Sequence, residues 1–315
     1  MSKLRAGSNK SHETPALLAA IAAFTTWGLI PGYWKLLQAV PSSEILAHRF
    51  VWTCVFLSGL LSWQGRWREV KADVRSRRAL VYCMASGLAV ASNWFLFIWA
   101  VIAGRVIETS LGYFMNPLMN VLFGTLFFRE RLSRWQLVSV LIALAAVLYL
   151  TFGYGHFPWV ALSICVSFGF YGLLRKKSGT AAIPGLFLET TLLVPVGVAY
   201  LIFLQAHGNM RFGYVDWRLS ILLITTGVVT AVPLLWFGYA TRYLRLTTVG
   251  FLQYLSPTGT FFLGVFWFHE SFTRGHLITF GLIWIALAIF SAEALFRWRS
   301  TRAREAIAKS VCEPI

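Results

Sequence analysis

Charged side chains are scarce in these 315 residues, at 13%, and acidic ones are scarcer still, with 12 Asp and Glu against 28 Lys and Arg. Soluble domains carry roughly 25% charged residues, so this composition excludes the solvated shell of an ordinary water-soluble globule. Cysteine is limited to Cys54, Cys83, Cys165 and Cys312, the first three inside apolar runs and none in a CxxC pair. A disulfide framework and a metal knuckle are therefore both excluded as organising features. No GxxxxGK[ST] phosphate loop occurs, which removes an ATP-driven motor, and neither HExxH nor GxSxG occurs, which removes two common hydrolase signatures. No cofactor is expected.

What is present is apolar surface. Hydrophobic residues make up 57% of the chain and aromatics 16%, including 14 Trp and 26 Phe, a content suited to lipid-facing and interfacial positions. The formal charge of +16 raises the question of nucleic acid. The basic residues, however, lie in short stretches between long apolar runs, as orientation signals do, and a phosphate-tracking surface is not formed. The expected fold class is an all-α integral membrane protein, with the lipid bilayer as its solvent and no nucleic-acid partner.

A hydrocarbon core of about 30 Å takes about 20 apolar helical residues, and ten segments qualify or nearly do. They lie near 15–37, 45–63, 79–103, 106–128, 135–152, 158–174, 183–204, 219–240, 246–268 and 276–295. The polar stretch Met1 to Thr14 precedes an apolar run too long for a signal-peptide core, so the first segment reads as a retained span. With both termini on one side, that side holds 22 of the 28 Lys and Arg, in the two tails and the loops after spans two, four, six and eight. The positive-inside rule then places both termini in the cytoplasm.

The chain also repeats itself. A gapless shift of 140 residues superposes Phe97 on Phe237, Ala100 on Ala240, Arg105 on Arg245, Pro117 on Pro257, Gly124 on Gly264, Phe128 on Phe268, Glu130 on Glu270 and Arg134 on Arg274. Two units follow, 15–152 and 158–295, flanked by a cytoplasmic tail at 1–14 and a basic one at 296–315. Each unit holds five spans, an odd number, so the second is expected upside down relative to the first.

In the fourth span Tyr113, Asn116 and Asn120 share one helical face. Their repeat partners are Gln253, Ser256 and Thr260. Both stripes meet a proline, Pro117 and Pro257, which removes a helical hydrogen bond and crowds the carbonyl four residues earlier, that of Tyr113 or Gln253. Polar groups at membrane depth need partners, from neighbouring helices, water or a ligand. The two stripes are thus candidate substrate-binding surfaces, with Asn93, Trp94 and Trp236 as further lining candidates and Pro31, Pro117 and Pro257 as hinges. A purely structural role competes, since such groups also join helix to helix for about 0.6 kcal/mol apiece.

Ionisable groups within spans cost about 2.5 to 3.5 kcal/mol on insertion scales. Glu44, His48 and Arg49 begin the second span, with Glu44 and His48 four apart on one face, and Lys35 at the end of the first span is placed to face them. Glu189 lies two turns into the seventh span, and its approximate repeat counterpart is His48. These five are the gating candidates, with His48 and Glu189 as protonatable gates coupling export to protons; snorkelling and local ion pairs are the competing account. Glu130 and Glu270 precede spans five and ten, where a carboxylate favours a helix N-terminus. Ser133 with Gln136 fits a capping box. Gly28 and Gly32 form a GxxxG suited to close helix contact beside Pro31.

Several runs resemble the drug/metabolite transporter superfamily with tandem EamA domains, and more closely its RarD branch. They are TWGLIPGYWKLL (Thr26 to Leu37), EILAHR (Glu44 to Arg49), LGYFMNPLMNVLFGTLFFRERLS (Leu111 to Ser133), FGFYGLLRKK (Phe168 to Lys177), LFLETTLLVP (Leu186 to Pro195) and GFLQYLSPTGTFFLGVFWFHESFT (Gly250 to Thr273). The resemblance implies a ten-helix inverted-repeat permease of the bacterial inner membrane, exporting metabolites or drugs, and it names no substrate. Position 269 is His where the first repeat has Arg129. The expected function is a secondary transporter of a small molecule working by alternating access. A non-transporting receptor or scaffold and an intramembrane enzyme are the alternatives; the oligomeric state is open, a homodimer among the options.

Overall fold

The computed structural model describes residues 3–128, 133–153, 156–244 and 252–311, and these are helical throughout apart from short connections. Glu130 lies outside the described residues, and so do the side chains of Pro117 and Asn120. Eleven helices follow in order among the described residues. They are α1 (Lys3–Leu36), α2 (Ser42–Gln64), α3 (Trp67–Arg75), α4 (Arg77–Ile102), α5 (Val106–Phe128), α6 (Arg134–Leu148), α7 (Trp159–Ser178), α8 (Ala182–Ala206), α9 (Trp217–Tyr243), α10 (Leu255–Phe262) and α11 (Arg274–Val311). A π-helical turn extends α6 over Tyr149–Gly153 and another extends α10 over Leu263–Trp267.

Seven helices among the described residues are long and apolar enough to cross a membrane: Thr14–Leu36, Ser42–Gln64, Arg77–Ile102, Arg134–Phe152, Ala182–Ala206, Trp217–Ala240 and Arg274–Glu293. Their ends fall within three residues of the segments read from the sequence. The other three segments differ in character. Segment 106–128 is α5, segment 158–174 is a shorter apolar helix over Trp159–Arg175, and segment 246–268 enters the described residues as the short α10 and its π turn.

Helix ends follow local chemistry. Ser76 Oγ accepts from Ala79 N at 3.2 Å at the start of α4, and Asp216 Oδ1 accepts from Arg218 N at 3.1 Å at the start of α9. The expected capping box opens α6, with Gln136 N to Ser133 Oγ at 3.1 Å and Ser133 N to Gln136 Oε1 at 3.0 Å. Gly65 and Gly179 close α2 and α7 in the left-handed region, where the lack of a Cβ removes the steric penalty. His269 does the same work after the π turn at φ 52°, and Glu270 N reaches back to Gly264 O at 3.0 Å.

The largest helix–helix contacts run between the two halves of the chain. Set α1, α2, α4, α5 and α6 against α7, α8, α9, α10 and α11. The packing of α1 on α9 then has its counterpart in α7 on α4, that of α1 on α10 in α7 on α5, and that of α2 on α9 in α8 on α4. The contacts α2–α8, α5–α10 and α6–α11 map onto themselves. Two of these matched pairs show their direction and run antiparallel. In α2 and α8, Ser43 meets Tyr200 at 2.8 Å and Cys54 meets Thr191 at 3.2 Å. In α5 and α10, Ser110 donates to Pro257 O at 2.7 Å while Phe114 stacks on Tyr254 at 6.3 Å.

Close approach between helices relies on glycine. A Cβ on Gly28 would sit 3.0 Å from Ser256 O and 3.3 Å from Gly259 Cα, so α1 and α10 meet backbone to backbone. Gly32, its partner in the GxxxG, has nothing within 4 Å and takes no part in this contact. Position 227 on α9 is tighter still, where a Cβ would lie 2.4 Å from the Trp52 carbonyl group of α2.

Candidate functional site

Three groups of buried polar side chains lie among the helices. The first is built around Glu189 on α8, which is 1% exposed. Ser86 of α4 donates to its Oε1 at 2.6 Å, and Arg175 of α7 lies 3.3 Å from the same oxygen. Arg175 is itself held by Thr180 Oγ1 at 2.9 Å and by the carbonyls of Ala181 and Ala182 at 3.3 Å. Gly185 leaves the room this needs: a Cβ there would stand 1.8 Å from Arg175 Nη1. Ser86 and Arg175 were not anticipated as partners. Arg175 reads as a loop cation in RKK, and only the turn between α7 and α8 brings it back to Glu189.

A second group caps the loop before α9. Glu44, fully buried, accepts through Oε1 from the backbone N–H groups of Arg211 at 2.9 Å and Phe212 at 3.0 Å. His48 Nε2 lies 4.0 Å from the same oxygen, its Nδ1 accepts from Trp52 Nε1 at 3.3 Å, and its ring packs on Phe212 at 4.7 Å. Lys35 departs from expectation. Its Nζ sits 5.3 Å above the Phe268 ring and within electrostatic reach of Glu270, away from Glu44 and His48. Glu270 accepts from Val106 N at 2.8 Å and Ile107 N at 2.9 Å, so it caps α5, across the chain, and does not cap the following α11. Burial pushes its carboxyl above the usual range, against the pull of those two N–H groups.

The third group is central and differently made. Arg49 is 6% exposed, with its guanidinium carbon 3.8 Å over the Trp94 ring and 5.3 Å over that of Trp34. The phenols of Tyr33 and Tyr113 lie within its electrostatic reach. No hydrogen bond or carboxylate partner is present for Arg49 among the described residues, and its Nε is buried without one. Trp34 Nε1, Thr53 Oγ1, Thr230 Oγ1 and both amide atoms of Asn116 are buried and unpartnered as well. Thr53 is one turn from Arg49 on α2. Asn116 is one turn from Tyr113 on α5, and it is 1% exposed.

The other expected lining residues divide. Asn93 is fully engaged, donating to Ile164 O at 3.0 Å and Ser167 Oγ at 3.1 Å while accepting from Tyr113 at 3.0 Å; it joins α4, α5 and α7. Thr260 donates to Gly28 O at 3.4 Å. Ser256 and Gln253 are half-buried on and just before α10. The Gln253 carbonyl, expected to be freed by Pro257, accepts from Ser256 N at 3.3 Å, and it is the Pro257 carbonyl that takes the Ser110 hydroxyl. Pro31 is buried inside an unbroken α1. Trp236 is 39% exposed, on the outside of α9, which removes it from the central group. The described residues hold no cluster of three or more His, Cys, Asp or Glu able to bind a metal ion.

Seven membrane-length apolar helices, buried polar groups between them and helices paired across two halves define a multi-pass membrane protein of the transporter class. The sequence profile of the EamA-like transporter family matches twice, over residues 14–152 and 158–292, and the chain belongs to that family, in its RarD-type branch. It is 41% identical to Protein RarD of Salmonella typhi over 283 residues, covering 90% of this chain and 96% of that one. It is 44% identical to an uncharacterized transporter of Vibrio cholerae, covering 89% and 92%. A chloramphenicol-sensitive protein RarD of Pseudomonas aeruginosa is 31% identical over 87% of this chain and 92% of its own. One crystal structure of a protein matches with a TM-score of 0.56 at 18% identity, covering 87% of this chain and 96% of that chain, and shows the fold alone.

Proposed function

We propose that this chain is a secondary carrier that exports a small metabolite or drug across the bacterial inner membrane by alternating access, with ten spans arranged as two inverted five-helix halves. One observation carries the reading: the matched helices α2 and α8, and α5 and α10, pack antiparallel, and buried polar atoms without partners lie on α1, α2, α5, α8, α9 and α11. A two-fold axis along the helices would bring matched helices together parallel, whereas an axis lying across them gives antiparallel pairs, the relation inverted repeats require. The distribution of Lys and Arg supports cytoplasmic termini. The absence of an ATP-binding loop from the sequence supports an ion or substrate gradient as the energy source.

The substrate site is assigned to Trp94, Tyr113, Asn116, Gln253, Ser256 and Thr260, with His48 and Glu189 as gates on either side of it. Proton coupling is the part of this reading that the gates serve. Flux into proteoliposomes, with chloramphenicol, amino acids and aromatic metabolites as probes, tests it. Wild-type protein is expected to move a subset of the panel, and Asn116→Ala and Gln253→Ala to slow that flux. Unchanged flux in both variants removes the site. A pH dependence that persists in His48→Ala and Glu189→Gln removes the gates.

A further inference from the structure

We propose that Arg49 is the anion contact of the substrate site, and that the substrate is a small monocarboxylate carrying an apolar or aromatic body. The inference rests on the carrier reading and deepens it. A guanidinium presents five N–H donors in a planar fork. Arg49 has none of them hydrogen-bonded among the described residues, although it is more than nine-tenths buried. Two other arginines have a carboxylate beside them: Arg175 has Glu189 at 3.3 Å and Arg105 has Glu108 at 2.6 Å.

The Trp94 and Trp34 rings offer π faces to the cation, which favours its charge but accepts none of its in-plane hydrogen bonds. A carboxylate would fill that deficit, since its two oxygens match the fork in a bidentate pair. Arg49 lies seven residues into α2, about 10 Å along the axis at 1.5 Å per residue, deeper than a lipid phosphate at the interface. The same rings, with Tyr33 and Tyr113 beside them, supply an apolar wall for the rest of the molecule. The unpartnered Trp34 Nε1, Thr53 hydroxyl and Asn116 amide supply neutral hydrogen bonds. No carboxylate stands in this group to receive an ammonium, so an anion without a second, positive charge fits it better than a cation does.

Three probes with one ring and different charge test the inference: N-acetylphenylalanine, its neutral primary amide, and the cationic phenylalaninamide. Binding to the full-length protein in nanodiscs is followed by tryptophan fluorescence, and counterflow is followed in proteoliposomes. The acid is expected to bind about tenfold or more tighter than its amide, equivalent to about 1.4 kcal/mol. Arg49→Gln is expected to erase that ratio, and Arg49→Lys, which keeps charge without the fork, to retain only part of it. Equal binding of acid and amide, an acid preference that survives Arg49→Gln, or no binding of the acid at millimolar concentration overturns the proposal. Movement of the amide or the cation without the acid overturns it while leaving the carrier intact. Arg49-dependent binding of the acid, with no flux of any probe, supports the anion site and counts against the carrier.

Discussion

Glu189 and Arg49 are both ionisable groups on apolar helices and both are buried, yet the protein treats them in opposite ways. Around Glu189 three helices converge on compensation: a hydroxyl from α4, a guanidinium from α7 and a glycine on α8 that makes room for it. Around Arg49 they converge on aromatic rings and leave the donors unmet. Taking a charge out of water costs several kcal/mol, and a desolvated cation–π contact returns about 2. The first charge is therefore paired within the protein through Oε1, while its Oε2 is buried without a partner. The second has no carboxylate partner among the described residues, and that contrast separates a charge the protein pairs internally from one it does not.

The contrast can be broken most sharply by removing one charge at a time. Arg175→Met strands the Glu189 carboxylate and is expected to lower stability by about 3 to 5 kcal/mol, with the Arg175→Met/Glu189→Leu double variant recovering much of the loss. Arg49→Met strands nothing, because no carboxylate depends on it, and is expected to be neutral or stabilising in ligand-free protein. Thermal unfolding of the purified variants in detergent reads both. A loss in Arg49→Met as large as that in Arg175→Met would show that Arg49 has an internal partner after all.

Next in size is the frame that holds Arg49. Gly227 of α9 sits against the Trp52 carbonyl group and Thr53 N, where a Cβ would approach to 2.4 and 2.9 Å. Backbone cannot swing aside as a side chain can, so Gly227→Ala is expected to cost about 3 kcal/mol by overpacking, in the same unfolding assay. Gly32→Ala, with open space around its added Cβ, is its control and is expected to change little.

How far the sequence disclosed this arrangement follows from the range of each signal. Apolar runs announce themselves by composition alone, so the seven membrane-length helices were legible to within three residues. The Ser133–Gln136 cap was legible because its two partners lie three residues apart. The short helix α3 was missed: its buried Val70, and Trp67 edge-on to Phe187 at 5.3 Å, form too small an apolar face for a periodic pattern. Contacts across the halves carry no local mark. Glu270 looks like the cap of the helix that follows it, and only the fold reveals that it serves α5, 164 residues away. Arg49 looks like a snorkelling helix-end residue for the same reason, since nothing nearby in the chain says that Trp34 and Trp94 enclose it.

Glu270 offers a milder version of the buried, compensated charge. Glu270→Ala uncaps the Val106 and Ile107 N–H groups and is expected to cost about 1 to 2 kcal/mol. Its carboxyl lies above the usual range because burial outweighs those hydrogen bonds. The sign follows: the native state holds this proton more firmly than the unfolded chain, so the stabilisation is complete at low pH and fades as pH rises through the native value. The gap between wild type and Glu270→Ala in denaturant should therefore widen on acidification into the carboxylate range. A gap that narrows would show that the backbone caps dominate.

The smallest effect belongs to the same chemistry placed in water. Arg66 makes a bidentate pair with Glu69, at 2.7 Å for both Nε to Oε1 and Nη2 to Oε2, with side chains 31% and 44% exposed. The hydrogen bond from Arg66 holds the Glu69 carboxyl below the usual carboxylate range. Here the native state sheds its proton more readily than the unfolded chain, so the contribution is present at neutral pH and is lost as pH falls through the carboxylate range, the reverse of Glu270. Solvent screens it, and Arg66→Ala is expected to cost no more than about 0.5 kcal/mol, less still at high salt. If that variant instead lost as much as Arg175→Met, burial would not be what sets the worth of an arginine–glutamate pair in this protein. The case for reading Arg49 as a ligand contact would then weaken with it.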